Sequence, residues 1–553
     1  FEGERRPPLL AGGVVARVRL EHLGDDRAFV ALVRRLRALA FDPAVAAVLL
    51  HVESDGLGLG RIEELRDLVA ALRARGKKVF AYGAFPATRD YYLATACDGI
   101  VMHPAGTLAL TGFSQTVTFY KRALDTIGVN VDLVRIAEFK GAMEPFVFNE
   151  QSGPVRDNRN DLLDDIYKRL LAAIAHARGT DAHPLDDAAT RALVDRGLFT
   201  PEEARTAGLI DAIADDDEIE DYLKRALGRA RVTLRDPDPS PLDEAWPARR
   251  VVVVLADGAI VDGPTQHLPF GLGGAAGSDT LVEALEACRK DASVSAVVLR
   301  VNSPGGSAFA SDVIARSIVK LRKSGKPVVV SMGDTAASGG YYIAAPGDAI
   351  FAEPSTVSGS IGIFAYKVDA QKLLATLGLG TETYRRGAHA DYMSPYRPWT
   401  PAEVKIAADK IRHLYELFLT TVVEGRKSRG LTRARVDELG RGHIWTGAEA
   451  LSLGLVDRMG GLSDAIDLAA SLGHVPTSRD GFPPVAVLPH EPGGLAQLVG
   501  SLAAGGAAES ELATLMRQRL AALGGPALRL LGPVLVGNGE GVEARIPYDL
   551  ELR

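Results

Sequence analysis

Ser338 stands in the stretch Gly333-Asp-Thr-Ala-Ala-Ser338-Gly-Gly-Tyr-Tyr-Ile-Ala-Ala345, directly after the apolar run Val328-Val329-Val330. The run reads as a buried strand and the Ala/Gly/Tyr segment can start a helix, so the serine falls at a strand-to-helix turn. Small neighbours leave its hydroxyl uncrowded. The amide of Gly339 behind it is one of the unpaired donors of a helix N-terminus, where developing negative charge is stabilised. This is what an acyl-transfer nucleophile needs, although the same serine could be no more than a helix cap in an Ala/Gly contact.

A second motif is Arg300-Val-Asn-Ser-Pro-Gly-Gly306-Ser, a buried strand that ends in two glycines. Glycines let the backbone turn its amides toward a ligand. The amides of Gly306 and Gly339 are therefore expected to form an oxyanion hole, in which one donor is worth about 3 to 4 kcal/mol in the transition state.

A nucleophilic serine also needs a base, and no histidine occurs between Ser338 and His389. His389 lies in a segment that reads as extended, where its side chain faces away from its neighbour's. The other candidate is Lys140, in Lys140-Gly-Ala-Met-Glu-Pro145. To accept a proton its pKa must fall from about 10.4 to roughly 7 to 8, on the order of 3 to 5 kcal/mol, with Phe139, Met143 and Phe146 as the expected source of burial. The competing reading is a surface lysine paired with Glu138 or Glu144.

The elements that must position these residues occur twice. From Val14 onward the chain alternates strand, a helix around 26–39, a strand over 46–52, a helix to 75 and a strand over 79–82, the pattern of parallel βαβ units in an α/β fold. Asp42-Pro-Ala-Val-Ala-Ala-Val-Leu-Leu-His-Val52 returns as Asp291-Ala-Ser-Val-Ser-Ala-Val-Val-Leu-Arg-Val301, and Gly197-Leu-Phe-Thr200 returns within Gly442-His-Ile-Trp-Thr446. Such a period means duplication of a whole domain. The expected boundaries are a lead-in over 1–11, a first repeat over 12–235, a linker over 236–248, a second repeat over 249–475 and a packing or oligomer-contact tail over 476–553. Within the tail, 494–507 could be a weak membrane-surface helix, with simple packing the better reading.

The copies have lost complementary parts. Thr88, Arg89 and Asp90 stand where the second copy has Ser338, Gly339 and Gly340, and Leu57 replaces Gly306. Conversely, Ala390 stands where the first copy has Lys140. One copy keeps the nucleophile and the other the base, as expected if a single site is assembled across the duplication. A lysine restored at position 390 is accordingly expected to act on Ser338.

Composition sets wider bounds. The net charge of −7 argues against nucleic acid as the main partner. Cys97 and Cys288 have no metal-ligand spacing and leave no role for a disulfide framework, so neither metal nor organic cofactor is implied. No run of 18 apolar residues occurs, and the sequence begins at Phe1, so a preceding segment is expected to have been removed, one that could have carried a signal peptide or anchor.

Taken as a set, Asn302-Ser-Pro-Gly-Gly306, Ala337-Ser-Gly-Gly-Tyr341, Gly359-Ser-Ile-Gly362 and Lys140-Gly-Ala-Met-Glu-Pro145 resemble the signal peptide peptidase A family in its long, two-repeat bacterial form. The resemblance implies a tandem duplication of a Clp/crotonase-like βαβ superhelical domain. It implies a serine endopeptidase with Ser338 as nucleophile and Lys140 as base, the lysine oriented by Ser360, degrading released signal peptides and other extended apolar peptides. It also implies a homotetramer at the bacterial inner membrane with its catalytic part facing the periplasm. Two other readings are open: a crotonase-type acyl-CoA hydratase or isomerase, and an inactive scaffold that binds membrane proteins.

Overall fold

The structure, a computed structural model, describes residues 13–21, 23–52, 57–179, 184–237, 249–267, 274–477, 481–489 and 542–545. The lead-in, most of the linker and the 494–507 stretch lie outside the described residues.

Hydrophobic strands that run parallel, with helices packed on them, form two sheets built alike. In the first, the order is Ala212–Ile213, Gly99–Met102, Lys78–Gly83, Val45–Val52, Val14–Leu20 and Thr233–Arg235. In the second it is Ile444–Thr446, Val357–Gly359, Val328–Ala337, Val294–Ser303, Arg250–Asp257 and Val485–Leu488, with Ala349–Ala352 beside Val328–Ala337. These are two copies of one duplicated α/β unit. The edge strand Val485–Leu488 pairs with Arg250–Asp257 as Thr233–Arg235 pairs with Val14–Leu20, both in parallel. Part of the tail therefore does have a counterpart in the first half, and a boundary at 475 cuts off the second sheet's last strand. Short strands of low periodicity hide this equivalence from sequence.

The repeats share one core. Val251, Val298 and Phe351 of the second pack in the same buried cluster as Val48, Phe29 and Ile62 of the first. Into this apolar contact the fold inserts paired charge. Arg300, fully buried, reaches Asp26 at 3.2 Å and Glu64 at 2.6 Å, and Arg61 meets Asp334 at 2.5 Å. Glu64 also accepts from the backbone of Leu462 at 2.8 Å, and Glu63 accepts from the backbone of Ser355 at 2.6 Å. All these acceptors on the first repeat sit at the start of the helix Leu59–Ala74 or on Asp26, so one helix end carries most of the polar seam.

A third sheet joins the halves near the site. Asn130–Arg135 of the first repeat pairs antiparallel with Phe364–Asp369 of the second, with Arg135 opposite Phe364. Next to Phe364–Asp369 lies Val542–Arg545, and beyond it Gly305–Ser307.

Candidate active site

The strand Val328–Ala337 ends one residue before Ser338, and the helix Gly339–Ala344 starts one residue after it. Ser338 has φ 56° and ψ −115°, outside the regions a non-glycine residue ordinarily occupies, at a cost of order 1–3 kcal/mol. Its backbone N–H donates to the Gly359 carbonyl at 2.8 Å and its carbonyl accepts from Tyr342 at 2.8 Å, which holds the turn. Although it occupies the cap position, its side chain makes no capping hydrogen bond. The hydroxyl is left for something else.

In the first repeat the same turn is relaxed. The extended Ala87, at φ −140°, precedes the helix, and Thr88 lies inside it. The Thr88 hydroxyl donates to the Ala109 carbonyl at 3.3 Å and accepts from Thr111 N–H at 2.9 Å. It is committed to packing, as the residues around it suggest.

Lys140 is brought to Ser338 by the antiparallel pairing of Asn130–Arg135 with Phe364–Asp369. Ile136 N–H continues that ladder to the Ile363 carbonyl at 3.0 Å, and Phe139 N–H donates to the Arg441 carbonyl at 3.2 Å. The loop is braced from inside. Arg135 donates to the Lys140 carbonyl at 3.0 Å and to Glu144 at 2.7 Å, and Glu144 accepts from Ser152 Oγ at 2.5 Å. Glu144 is thus spent on the loop and Glu138 faces Arg441 at 3.6 Å, so neither pairs with the lysine.

The Lys140 amine, in a residue only 2% exposed, lies 2.7 Å from Ser338 Oγ, 2.9 Å from the Ser360 carbonyl oxygen and 3.0 Å from Ser360 Oγ. Burial pushes its pKa well below the ordinary lysine value. A neutral amine has two N–H donors and one lone pair. The two oxygens of Ser360 take the donors, which leaves the lone pair for the Ser338 hydroxyl. Ser360 is itself held at φ 50°, with its N–H donating to the His443 carbonyl at 2.6 Å.

Two glycines let the backbone and side chain of Lys140 approach closely: a methyl group at Gly442 would come within 2.5 Å of the Lys140 backbone nitrogen, and one at Gly362 within 3.2 Å of its Cδ. Gly442 was visible only as half of a repeat signature, and its partner Gly197 has the same φ of 83°. Nothing in the sequence assigned it to the site.

Gly305–Ser307 runs beside Ala259–Val261, with Gly306 opposite Ile260. A side chain at Gly306 would strike the Ile260 carbonyl at 2.0 Å, so the approach of that strand demands the glycine. Gly340 is needed for a similar reason, since a methyl group there would lie 2.6 Å from the Ser303 carbonyl. Gly339 opens the helix next to Ser338. Between Gly305–Ser307 and Phe364–Asp369 the slot is one strand wide. Val542–Arg545 fills it, antiparallel to both walls, with Ala544 opposite Gly306.

His389 is not brought to the site. It is half-exposed and lies 3.4 Å from Glu403, which Arg397 also holds. Ala390 is exposed on a segment without strand pairing, because Phe364–Asp369 has taken the first repeat's strand as its partner. A lysine restored there would be solvated, so the expected rescue of Ser338 from position 390 does not hold. Cys97 and Cys288 are free thiols, with burial pushing the first up to about 12 and the second to about 11. Among the described residues no group of three or more His, Cys, Asp or Glu could hold a metal ion, and no helix is long and apolar enough to cross a membrane.

Comparison with known proteins gives a family model, Peptidase family S49, that matches residues 71–228 and 320–475. A chloroplastic serine protease SPPA of Arabidopsis thaliana is 31% identical over 80% of this chain and 65% of its own length. Protease 4 of Salmonella typhi is 32% identical over 80% of this chain and 71% of its own. A protein of Enterococcus faecium named putative signal peptide peptidase SppA is 35% identical over 41% of this chain and 64% of its own length.

Proposed function

This chain belongs to peptidase family S49 and is a serine-type peptidase, and from that premise we propose that Ser338 and Lys140 are its catalytic dyad, one repeat supplying the nucleophile and the other the base. The observation that carries the reading is the 2.7 Å approach of the two side chains in a buried pocket that pushes the amine's pKa well below the ordinary lysine value.

The lone pair of Lys140 takes the Ser338 proton as Oγ attacks the scissile carbonyl. Negative charge builds on the carbonyl oxygen, where the amides of Gly306 and Gly339 would receive it. Lys140, now an ammonium with Ser360 accepting two of its protons, gives the third to the leaving amine. The Ser338 ester that remains is hydrolysed by a water that Lys140 deprotonates in turn.

The substrates proposed are released signal peptides and other extended apolar peptides, bound as an added strand between Gly305–Ser307 and Phe364–Asp369. The one-strand width of that slot supports this binding mode, and the name of the Enterococcus faecium relative supports the substrate class. Membrane association and a homotetramer belong to the same proposal. A fluorophosphonate probe tests it: the wild type should be labelled at Ser338, and Ser338→Ala and Lys140→Ala should not. An unlabelled wild type would overturn the assignment of Ser338 and Lys140 as the dyad.

A further inference from the structure

One buried asparagine of the first repeat spends its hydrogen bonds on the second. Asn158 lies on the helix Gly153–Arg178, whose buried stripe is mostly apolar, with Val155, Leu162 and Ile166 on the same face. In such a stripe a polar side chain that is only 5% exposed must find hydrogen bonds, and it finds them across the repeat boundary. Its Oδ1 accepts from the Ile444 N–H at 2.9 Å, its Nδ2 donates to the Ile444 carbonyl at 2.9 Å, and Nδ2 also lies 3.2 Å from His443 Nδ1. Because Ile444 offers one donor and one acceptor, the amide fits only one way round.

The strand it holds, Ile444–Thr446, is the last of the second sheet and runs antiparallel to Val357–Gly359. An antiparallel edge strand turns the peptide groups of alternate residues inward to its neighbour and outward to nothing. His443 faces inward, and its carbonyl takes the Ser360 N–H at 2.6 Å. Ile444 faces outward, and Asn158 stands in for the missing strand. Seven residues farther along the helix Asp165 accepts from Thr446 Oγ1 at 2.7 Å, so the helix follows the edge for two turns.

The residues just before this strand support the lysine. The Arg441 carbonyl accepts from Phe139 N–H, Gly442 N–H donates to the Ile361 carbonyl at 2.9 Å, and a methyl group at Gly442 would lie 2.7 Å from Lys140 Cα. Ser360 supplies both oxygens that accept from the Lys140 amine. Its φ of 50° is one a serine keeps only while its surroundings impose it. The contacts therefore run in series, from Asn158 to His443 and Ile444, from there to Ser360, and from Ser360 to Lys140.

We propose that Asn158 is a positioning residue for the dyad: by fixing the sheet edge at His443 and Ile444 it keeps Ser360 in its strained turn, and so keeps the Lys140 amine aimed at Ser338. The inference rests on the proposed dyad and extends it. The first repeat then has two tasks at the site. It brings the base on one segment, and from a separate helix it holds the second repeat's acceptors for that base in place.

The rate of fluorophosphonate labelling at Ser338 in the full chain reads this without a peptide substrate. Asn158→Leu keeps the volume and removes the amide, and it should lower the maximal labelling rate roughly 10-fold or more while the half-saturating probe concentration stays within about two-fold. Its acid limb should move in the same direction as that of Ser360→Ala. In a Ser360→Ala background the same substitution should lose less than it does alone, since part of what it disturbs is already gone. Asn158→Asp keeps the acceptor for Ile444 N–H and should fall between; it takes over the test if circular dichroism shows the leucine variant unfolded. Amide hydrogen exchange on Ser338→Ala, with and without Asn158→Leu, reads the clamp with no chemistry involved, and peptides covering 359–363 and 441–446 should exchange faster. Unchanged exchange there overturns the proposal. So does faster exchange with unaltered labelling, an unmoved acid limb, or losses that simply multiply with Ser360→Ala. A wild type that takes no label refutes the dyad on which the proposal stands, whereas each of the other failures occurs in an enzyme that still labels.

Discussion

Ser338→Ala and Lys140→Ala should each reduce peptide hydrolysis to background while the double variant is no slower than either, because a base without its nucleophile has nothing to do. Additive losses in kcat would show two separate roles. The pH profile follows from burial: Lys140 must be unprotonated to act, so kcat/KM should rise with pH along one acid limb that lies below the ordinary lysine range. Ser360→Ala removes an oxygen that accepts from the ammonium form, so this limb should move to lower pH while kcat falls roughly 10-fold or more from loss of orientation. An unmoved limb would separate Ser360 from the lysine. Ser338, Lys140 and the glycine motifs were legible because each departs from its counterpart in the other repeat. Gly442 was not, since a glycine that admits a neighbour's backbone looks the same in sequence as one that makes a turn.

At the level of elements, the third sheet depends on pairings that no local pattern announces. The first repeat's strands Lys78–Gly83 and Val45–Val52 were readable from their apolar runs to within a residue or so. That Asn130–Arg135 would leave its own repeat for Phe364–Asp369 was not readable, because antiparallel register is set by a partner more than two hundred residues away. The strand Val542–Arg545 lies in the slot proposed for peptides, and this has a measurable effect. A chain ending at residue 541 should react with the fluorophosphonate several-fold faster than the full chain, and a synthetic peptide spanning 540–548 should slow it again. Equal rates would mean that the strand does not compete with ligands.

Across the whole molecule, the seam between repeats holds more carboxylates than it has cations to match. Desolvation, with Glu64, Asp67, Glu63 and Asp464 nearby, pushes the Glu353 carboxyl up to about 10, and Glu64 itself is raised to about 6 despite Arg300. For an acid raised on folding, the unfolded chain gives up its proton first. The Glu353 contribution to stability therefore declines as pH climbs from about 4.5 toward about 10, whereas the lowered Lys140 works in the opposite sense. Glu353→Gln should accordingly lose less Tm between pH 6 and pH 9 than the wild type does, as scanning calorimetry would measure. A parallel loss would assign the pH response to other groups. The strand exchange that delivers Lys140 also sets a timetable. Lys140 is made 198 residues before Ser338, which at roughly 5–20 residues per second is about 10–40 seconds of synthesis. During that interval Asn130–Arg135 is an edge without its mate and the newborn chain has no working site. With the proposed dyad split in this way, nothing can be cut, the chain itself included, until the second repeat has been made through Ser338 and the strand Phe364–Asp369.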